Sequence, residues 1–178
     1  SSFTNSFEPS TNKEEMMKEL TKVLDFMESY NMNCMIFHIR THNNAFYKTQ
    51  LAPISSEYGT YESFEEWDYL TWLINECHER GIEFHAWLNP YRVTTSEREE
   101  LPFNHIFYQH PERFVRYGSQ LYFDPGWPEN IDFISKVVND IVSRYDVDAI
   151  HMDDYFYPYP ITGVDFPDDK SYAAYGKG

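Results

Sequence analysis

Basic residues are scarce in this chain of 178 residues: 14 Lys and Arg stand against 29 Asp and Glu, for a formal charge of −15. That deficit argues against a nucleic-acid partner, whose phosphates need clustered Lys and Arg. It argues equally against docking on an anionic membrane surface. Long apolar runs are missing too, so no segment offers the ~20 apolar residues of a spanning helix. Only two cysteines occur, Cys34 and Cys77, each inside an apolar pattern. They read as small buried hydrophobes, and no Cys/His spacing of a metal motif is present. No metal and no cofactor is expected. A secretory signal segment is also lacking, but the first residue is Ser1 rather than Met. The chain therefore reads as trimmed and is silent about its compartment.

What is abundant is aromatic surface: 19% of residues, with 15 Tyr among them. Tyrosine suits half-exposed positions, with its ring buried and its hydroxyl wet. The length suffices for one domain with a real core, taken as residues 1–178. Ser10-Thr11-Asn12, followed by Glu14 and Glu15, predicts a helix start. Met16, Leu20, Val23, Leu24 and Met27 then mark one apolar face, up to about Tyr30. Residues 34–39 read as a buried strand and 41–60 as a long loop. Trp67, Leu70, Leu73, Ile74 and Cys77 form a second helical face that Gly81 stops. Residues 82–88 are the next strand. Residues 94–120 are polar, aromatic and without period, and 122–126 read as a short extended piece and turn. Pro128 opens a third helix, and 147–153 is a third strand. The tail from residue 158 reads as loop.

Helices alternating with strands imply parallel strands and helical crossovers. Long loops follow the strands and short ones follow the helices, as on the catalytic face of a (β/α)8 TIM barrel. A whole barrel takes about 250 residues. About three βα units are visible, so the chain reads as part of a barrel, incomplete at both ends.

Side chains alternate faces along a strand. His38 and Arg40 then share a face on the first strand, His85, Trp87 and Asn89 on the second, and His151, Asp153 and Tyr155 on the third. Each strand carries such residues toward its C-terminal end, so the three sets converge on one pocket. The third strand runs Val147-Asp148-Ala149-Ile150-His151-Met152-Asp153-Asp154-Tyr155-Phe156-Tyr157-Pro158. Two adjacent carboxylates at the end of an apolar strand are unfavourable to desolvate without partners, and such placements mark sites. Flanking tyrosines suit flat, hydroxyl-rich ligands. A carbohydrate-active enzyme with a carboxylate mechanism is expected. Parity selects Asp153 as the inward acid and turns Asp154 to the other face.

The pieces His38-Ile39-Arg40 with Asn44-Ala45-Phe46-Tyr47, Cys77 through Val93, Asp124-Pro125-Gly126 and Ile150 through Pro158 together resemble the bacterial glycosyl hydrolase-like 10 family. The resemblance covers nearly the whole chain in order. It implies a TIM-barrel glycoside hydrolase, exported or held as a surface lipoprotein, whether extracellular or periplasmic. It implies action on bacterial cell-envelope glycans, with amino-sugar polymers such as peptide-stripped peptidoglycan strands as the expected substrate. The family's acidic pair maps onto Asp153 and Asp154, its arginine after the first visible strand onto Arg40, and its His-Ala-Trp-Leu-Asn-Pro-Tyr-Arg onto residues 85–92. There are departures. Arg40 is followed by Thr41 where the family has Pro, and Asn44 stands where it carries an acid. Strands that follow the acidic pair in the family are absent.

Glycoside hydrolysis generally uses two carboxyl groups across the scissile bond. Asp153 is expected to stabilise or attack the anomeric carbon. Asp154 cannot readily face the same bond, so the second carboxyl group is expected either on a strand outside this chain or, within it, from the loop candidates Asp124, Asp165, Asp168 and Asp169; a substrate acetamido group is an alternative nucleophile. His38, Arg40, Asn44, His85, Asn89 and His151 are expected to bind sugar hydroxyls or tune Asp153, with Trp87, Tyr91, Tyr155 and Tyr157 as platforms. The rival readings are a carbohydrate-binding protein using the same pocket without turnover, and a metal-dependent deacetylase or hydrolase. The expected partner is a polysaccharide or oligosaccharide; oligomeric state is not readable.

Overall fold

The computed structural model of the protein describes residues 7–42, 44–152 and 157–176. Helix α1, Lys13–Ser29, begins where Asn12 accepts the Glu15 amide N–H at 3.1 Å. The side-chain cap satisfies one of the donors that a helix start leaves unpaired. Met16, Leu20, Leu24 and Met27 are its buried face. Strand β1 is Cys34–Arg40, followed by helices α2, Tyr61–Glu66, and α3, Tyr69–Glu79. Thr60 and Ser63 close a reciprocal capping box on α2, and Asp68 caps α3 through the amides of Leu70 and Thr71. Gly81 adopts φ 70°, the left-handed turn that releases the chain from α3. Strand β2 is Glu83–Leu88.

Strands β3, Phe114–Tyr117, and β4, Gln120–Phe123, form an antiparallel hairpin. Its two-residue turn begins with Gly118 at φ 59°, a position that glycine fills without steric penalty. Helix α4, Pro128–Arg144, strand β5, Ala149–Met152, and a short helix α5, Asp169–Tyr175, complete the order. The hairpin lies within residues 94–123, which the sequence leaves without period apart from one short extended piece, and α5 lies in the tail expected to be loop. Helix α2 occupies a stretch assigned to no element.

β1 pairs in parallel with β2, and β2 with β5, in the order β1-β2-β5. Each crossover carries helices, α2 and α3 in the first and α4 in the second. Met35, Ile39, Phe84, Ala86 and Leu88 are buried in one core with Leu20, Leu24, Leu70, Leu73, Ile74 and Val137. Full burial of each such aliphatic side chain contributes roughly 1.5–3 kcal/mol. The opposite sheet face carries Ile36, His38, His85, Trp87, Ala149 and His151, and it is more open. Three long excursions follow strand C-termini, and residues 41–60 lead from β1 to α2. Residues 89–127 hold the hairpin, tied to the end of β2 by Phe123 N–H donating to the Tyr91 carbonyl at 2.8 Å and Val93 N–H to that of Leu121 at 2.9 Å. Residues 157–176 fold back on the hairpin, where the Tyr117 hydroxyl donates to the Val164 carbonyl at 2.9 Å and accepts the Ile161 N–H at 2.6 Å.

Candidate functional site

Toward the C-terminal end of the parallel sheet, strand pairing brings together His38, Trp87 and His151. Register sets His38 opposite Trp87 and Trp87 opposite His151. The rings of His38 and Trp87 stack at 3.7 Å with 2° between planes, and Trp87 meets His151 edge-on at 5.8 Å. One indole face of Trp87 is therefore covered by His38. This three-ring row follows from strand pairing alone, since each residue occupies the same level of its strand.

Arg40 departs from that row. The β1–β2 register shifts between His38 and Arg40, so that Arg40 aligns with Leu88, a core residue. Its guanidinium lies 5.7 Å from the centre of the Phe133 ring on α4. The side chain is 1% exposed, and burial lowers its pKa from the ordinary value. The expectation that His38 and Arg40 share a face is corrected: an extra residue in the ladder breaks the alternation that parity assumes.

Beyond the strand ends, side-chain amides fasten the loops. Asn89 is buried, donates its backbone N–H to the Arg40 carbonyl at 2.9 Å and its side-chain amide to that of Thr41 at 3.2 Å. The Asn44 amide oxygen accepts the Thr41 hydroxyl at 3.2 Å and the His42 N–H at 3.4 Å. Asn44 thus closes the turn after β1, a task that a carboxylate oxygen could also perform. Tyr91 is half-buried, and desolvation raises its phenol pKa. The Tyr157 hydroxyl donates to Asp168 at 3.2 Å. Burial, that bond, and the charges of Asp168, Asp124 and the Tyr91 phenol push Tyr157 up to about 12. Asp168 is accordingly the direct partner of Tyr157. Asp124 is buried and accepts the Gly126 N–H at 2.8 Å, holding the turn into α4. Asp165 and Asp169 are exposed. Asp153, Asp154 and Tyr155 lie outside the described residues.

His85 sits one level lower than Trp87, beside Glu83, whose carboxylate is 3.3 Å from its Nε2. It does not join the ring row. Cys34, across from Glu83, has its thiol pKa raised by burial and by the charges of Glu83 and Asp148. Asp148 itself accepts the Phe84 N–H at 2.7 Å and lies 2.8 Å from His78 Nε2, bonds that hold its carboxyl below the usual range.

His105 was not anticipated. It is 2% exposed, its Nδ1 accepts the Phe107 N–H at 3.0 Å, and burial with the nearby Arg40 charge depresses its pKa to about 4. The imidazole is therefore neutral, with its proton on Nε2. Nothing in the surrounding aperiodic sequence marks it.

Comparison with known proteins places the chain in a family. The sequence profile described as glycosyl hydrolase-like 10 matches residues 4–178. The chain is 44% identical over 167 residues to a glycosyl hydrolase, YngK of Bacillus subtilis (strain 168), covering 92% of this chain and 32% of that protein. It is 28% identical over 180 residues to the glycosyl hydrolase DigH of Escherichia coli (strain K12), covering 94% of this chain and 40% of that protein. The chain thus spans well under half the length of these relatives. Among solved structures it resembles the maltogenic α-amylase AmyB from Thermotoga neapolitana, with a TM-score of 0.54, 16% identity, and coverage of 86% of this chain and 38% of that one. It also resembles the α-galactosidase AgaB from Geobacillus stearothermophilus, with a TM-score of 0.51, 14% identity, and coverage of 81% and 19%. These are TIM-barrel folds, and the parallel sheet with its outer helices is part of such a barrel. The chain belongs to the glycosyl hydrolase-like 10 family.

Proposed function

We propose that the chain forms part of a glycoside hydrolase that cleaves O-glycosidic bonds in an amino-sugar glycan of the bacterial cell envelope, of the peptidoglycan type. The observation that carries this reading is the His38–Trp87–His151 row at the C-terminal end of parallel strands, the end where barrel enzymes build their sites. Membership of a glycosyl hydrolase-like family supports it. Asp153 follows the last described residue of β5 directly in sequence, and we assign it the carboxylate that stabilises or attacks the anomeric carbon. Asp154 is assigned to hold its neighbours. The proton donor is assigned to a second carboxyl group, on a strand outside this chain or among Asp124, Asp165, Asp168 and Asp169; a substrate acetamido group is the alternative nucleophile.

His38, His151 and Asn89 are assigned to sugar hydroxyls, with Trp87, Tyr91, Tyr155 and Tyr157 as platforms. Arg40 adds a buried positive charge beneath the site and favours ionised carboxylates above it. Action on an envelope glycan places the protein outside the cytoplasm, exported in soluble form or as a lipoprotein. A binding role without turnover is the second reading, favoured by Asn44 standing where the family carries an acid. The test incubates the full-length gene product with peptide-free peptidoglycan strands and, in parallel, with an α-glucan and an α-galactoside, and reads products by mass spectrometry. Shortened amino-sugar saccharides are expected. Cleavage of the comparators alone would overturn the substrate, and binding to the strands without cleavage would overturn the reaction.

A further inference from the structure

A second group of chemically capable side chains lies at the other, N-terminal end of the sheet. Cys34 is the first residue of β1 and Glu83 the first of β2, and the two are register partners. His85 follows two residues along β2, so alternation returns it to the same face as Glu83. The Cys34 Sγ, a Glu83 carboxylate oxygen and a His85 ring nitrogen all lie within 4.8 Å of one another, with His85 Nε2 3.3 Å from Glu83 Oε2.

We propose that Cys34, Glu83 and His85 form a binding site for a divalent cation of the zinc class. Thiolate, imidazole and carboxylate are the donors that such a borderline-soft ion accepts. Tetrahedral bonds of about 2.0–2.3 Å set donor atoms roughly 3.5 Å apart, within reach of the observed cluster by small side-chain rotations. Both strands are held in a parallel ladder, so the spacing of the three Cβ atoms is fixed by register before any ion arrives. Within this part of the barrel Glu83 is exposed, while Cys34 and His85 are half-buried. Three protein donors leave a fourth position for water. On binding, the Cys34 S–H bond is replaced by an S–metal bond and the proton passes to solvent. The thiolate and the Glu83 carboxylate together balance the charge of the ion. The site is separate from the proposed saccharide pocket and does not depend on that reading.

The test uses the full chain, reduced and stripped with a chelator, and titrates it with cobalt(II) as a spectroscopic probe. One equivalent is expected to develop a thiolate-to-cobalt charge-transfer absorption, and zinc is expected to bleach it by displacement. Cys34→Ser is expected to abolish the band, and Glu83→Gln and His85→Gln to weaken the apparent affinity at least about tenfold. Cys77→Ala serves as the control and is expected to retain the band, because Cys77 is buried in the helix core against Met35. Circular dichroism of each variant reports folding; the exposed Glu83 makes Glu83→Gln the variant least able to disturb it. Absence of the band in the folded wild type, or a band that survives Cys34→Ser, overturns the proposal.

Discussion

The imidazole of His38 lies flat against the indole of Trp87, 3.7 Å between ring centres and 2° between planes. The pair spans two parallel strands and stiffens the site at the level where His151 joins it. His38→Ala is expected to destabilise the fold by about 1 kcal/mol through the lost ring pair, and His38→Phe to recover most of that loss. Denaturant midpoints check both. If His38→Ala and His38→Phe were equally destabilised, the stack would not be the source.

His105 makes stability depend on pH. Its folded pKa of about 4 lies below the ordinary imidazole value of 6.5. Between these values the unfolded chain binds a proton that the folded chain refuses, so the stabilisation is present above pH 6.5 and is lost as pH falls through 4. The full effect is on the order of 3 kcal/mol. Urea titrations between pH 7 and 4 are expected to show a steeper fall for wild type than for His105→Gln. Equal slopes would contradict the assignment.

Asn44 closes the turn after β1 through its amide oxygen. Asn44→Asp keeps an acceptor for both bonds, so its stability is expected to stay within about 0.5 kcal/mol of wild type. Asn44→Ala removes the acceptor and is expected to lose about 1 kcal/mol. If the loop lines a hydrolase site, Asn44→Asp also shifts the pH profile of glycan cleavage. An Asn44→Ala protein as stable as wild type would show that the turn holds itself.

A methyl group on Gly126 would meet Ser171 Oγ at 2.5 Å and Ser171 Cβ at 2.9 Å. Gly126→Ala is therefore expected to push α5 off the Asp124-Pro125-Gly126 turn, at about 1–3 kcal/mol. Limited proteolysis should then cut within residues 157–176 sooner than in wild type. Adding Ser171→Gly should restore protection, and its failure to do so would contradict this packing.

The parts of the fold that show in the sequence are those whose cause is local. Asn12 and the spacing of Met16, Leu20, Leu24 and Met27 locate α1, Gly81 ends α3, and Pro128 opens α4. The hairpin is harder to see because each strand has only four residues; its legible trace is Gly118-Ser119 between apolar-aromatic pairs. The ring row follows from parity, because His38, Trp87 and His151 need only regular strands. Arg40 defeats parity through a register shift that no local residue announces. The Cys34–Glu83–His85 group is invisible to spacing rules, since its members come from strands 49 positions apart in register and motif spacing is read along one segment.

The central claim is that Asp153 is the reacting carboxylate of a glycan-cleaving site. The most direct measurement compares wild type with Asp153→Asn on peptide-free peptidoglycan strands, reading cleavage by mass spectrometry and binding by sedimentation. The account predicts that Asp153→Asn binds the strands as wild type does but cleaves at least about 10²-fold more slowly. Cleavage by Asp153→Asn at the wild-type rate, or binding by both with cleavage by neither, would contradict it.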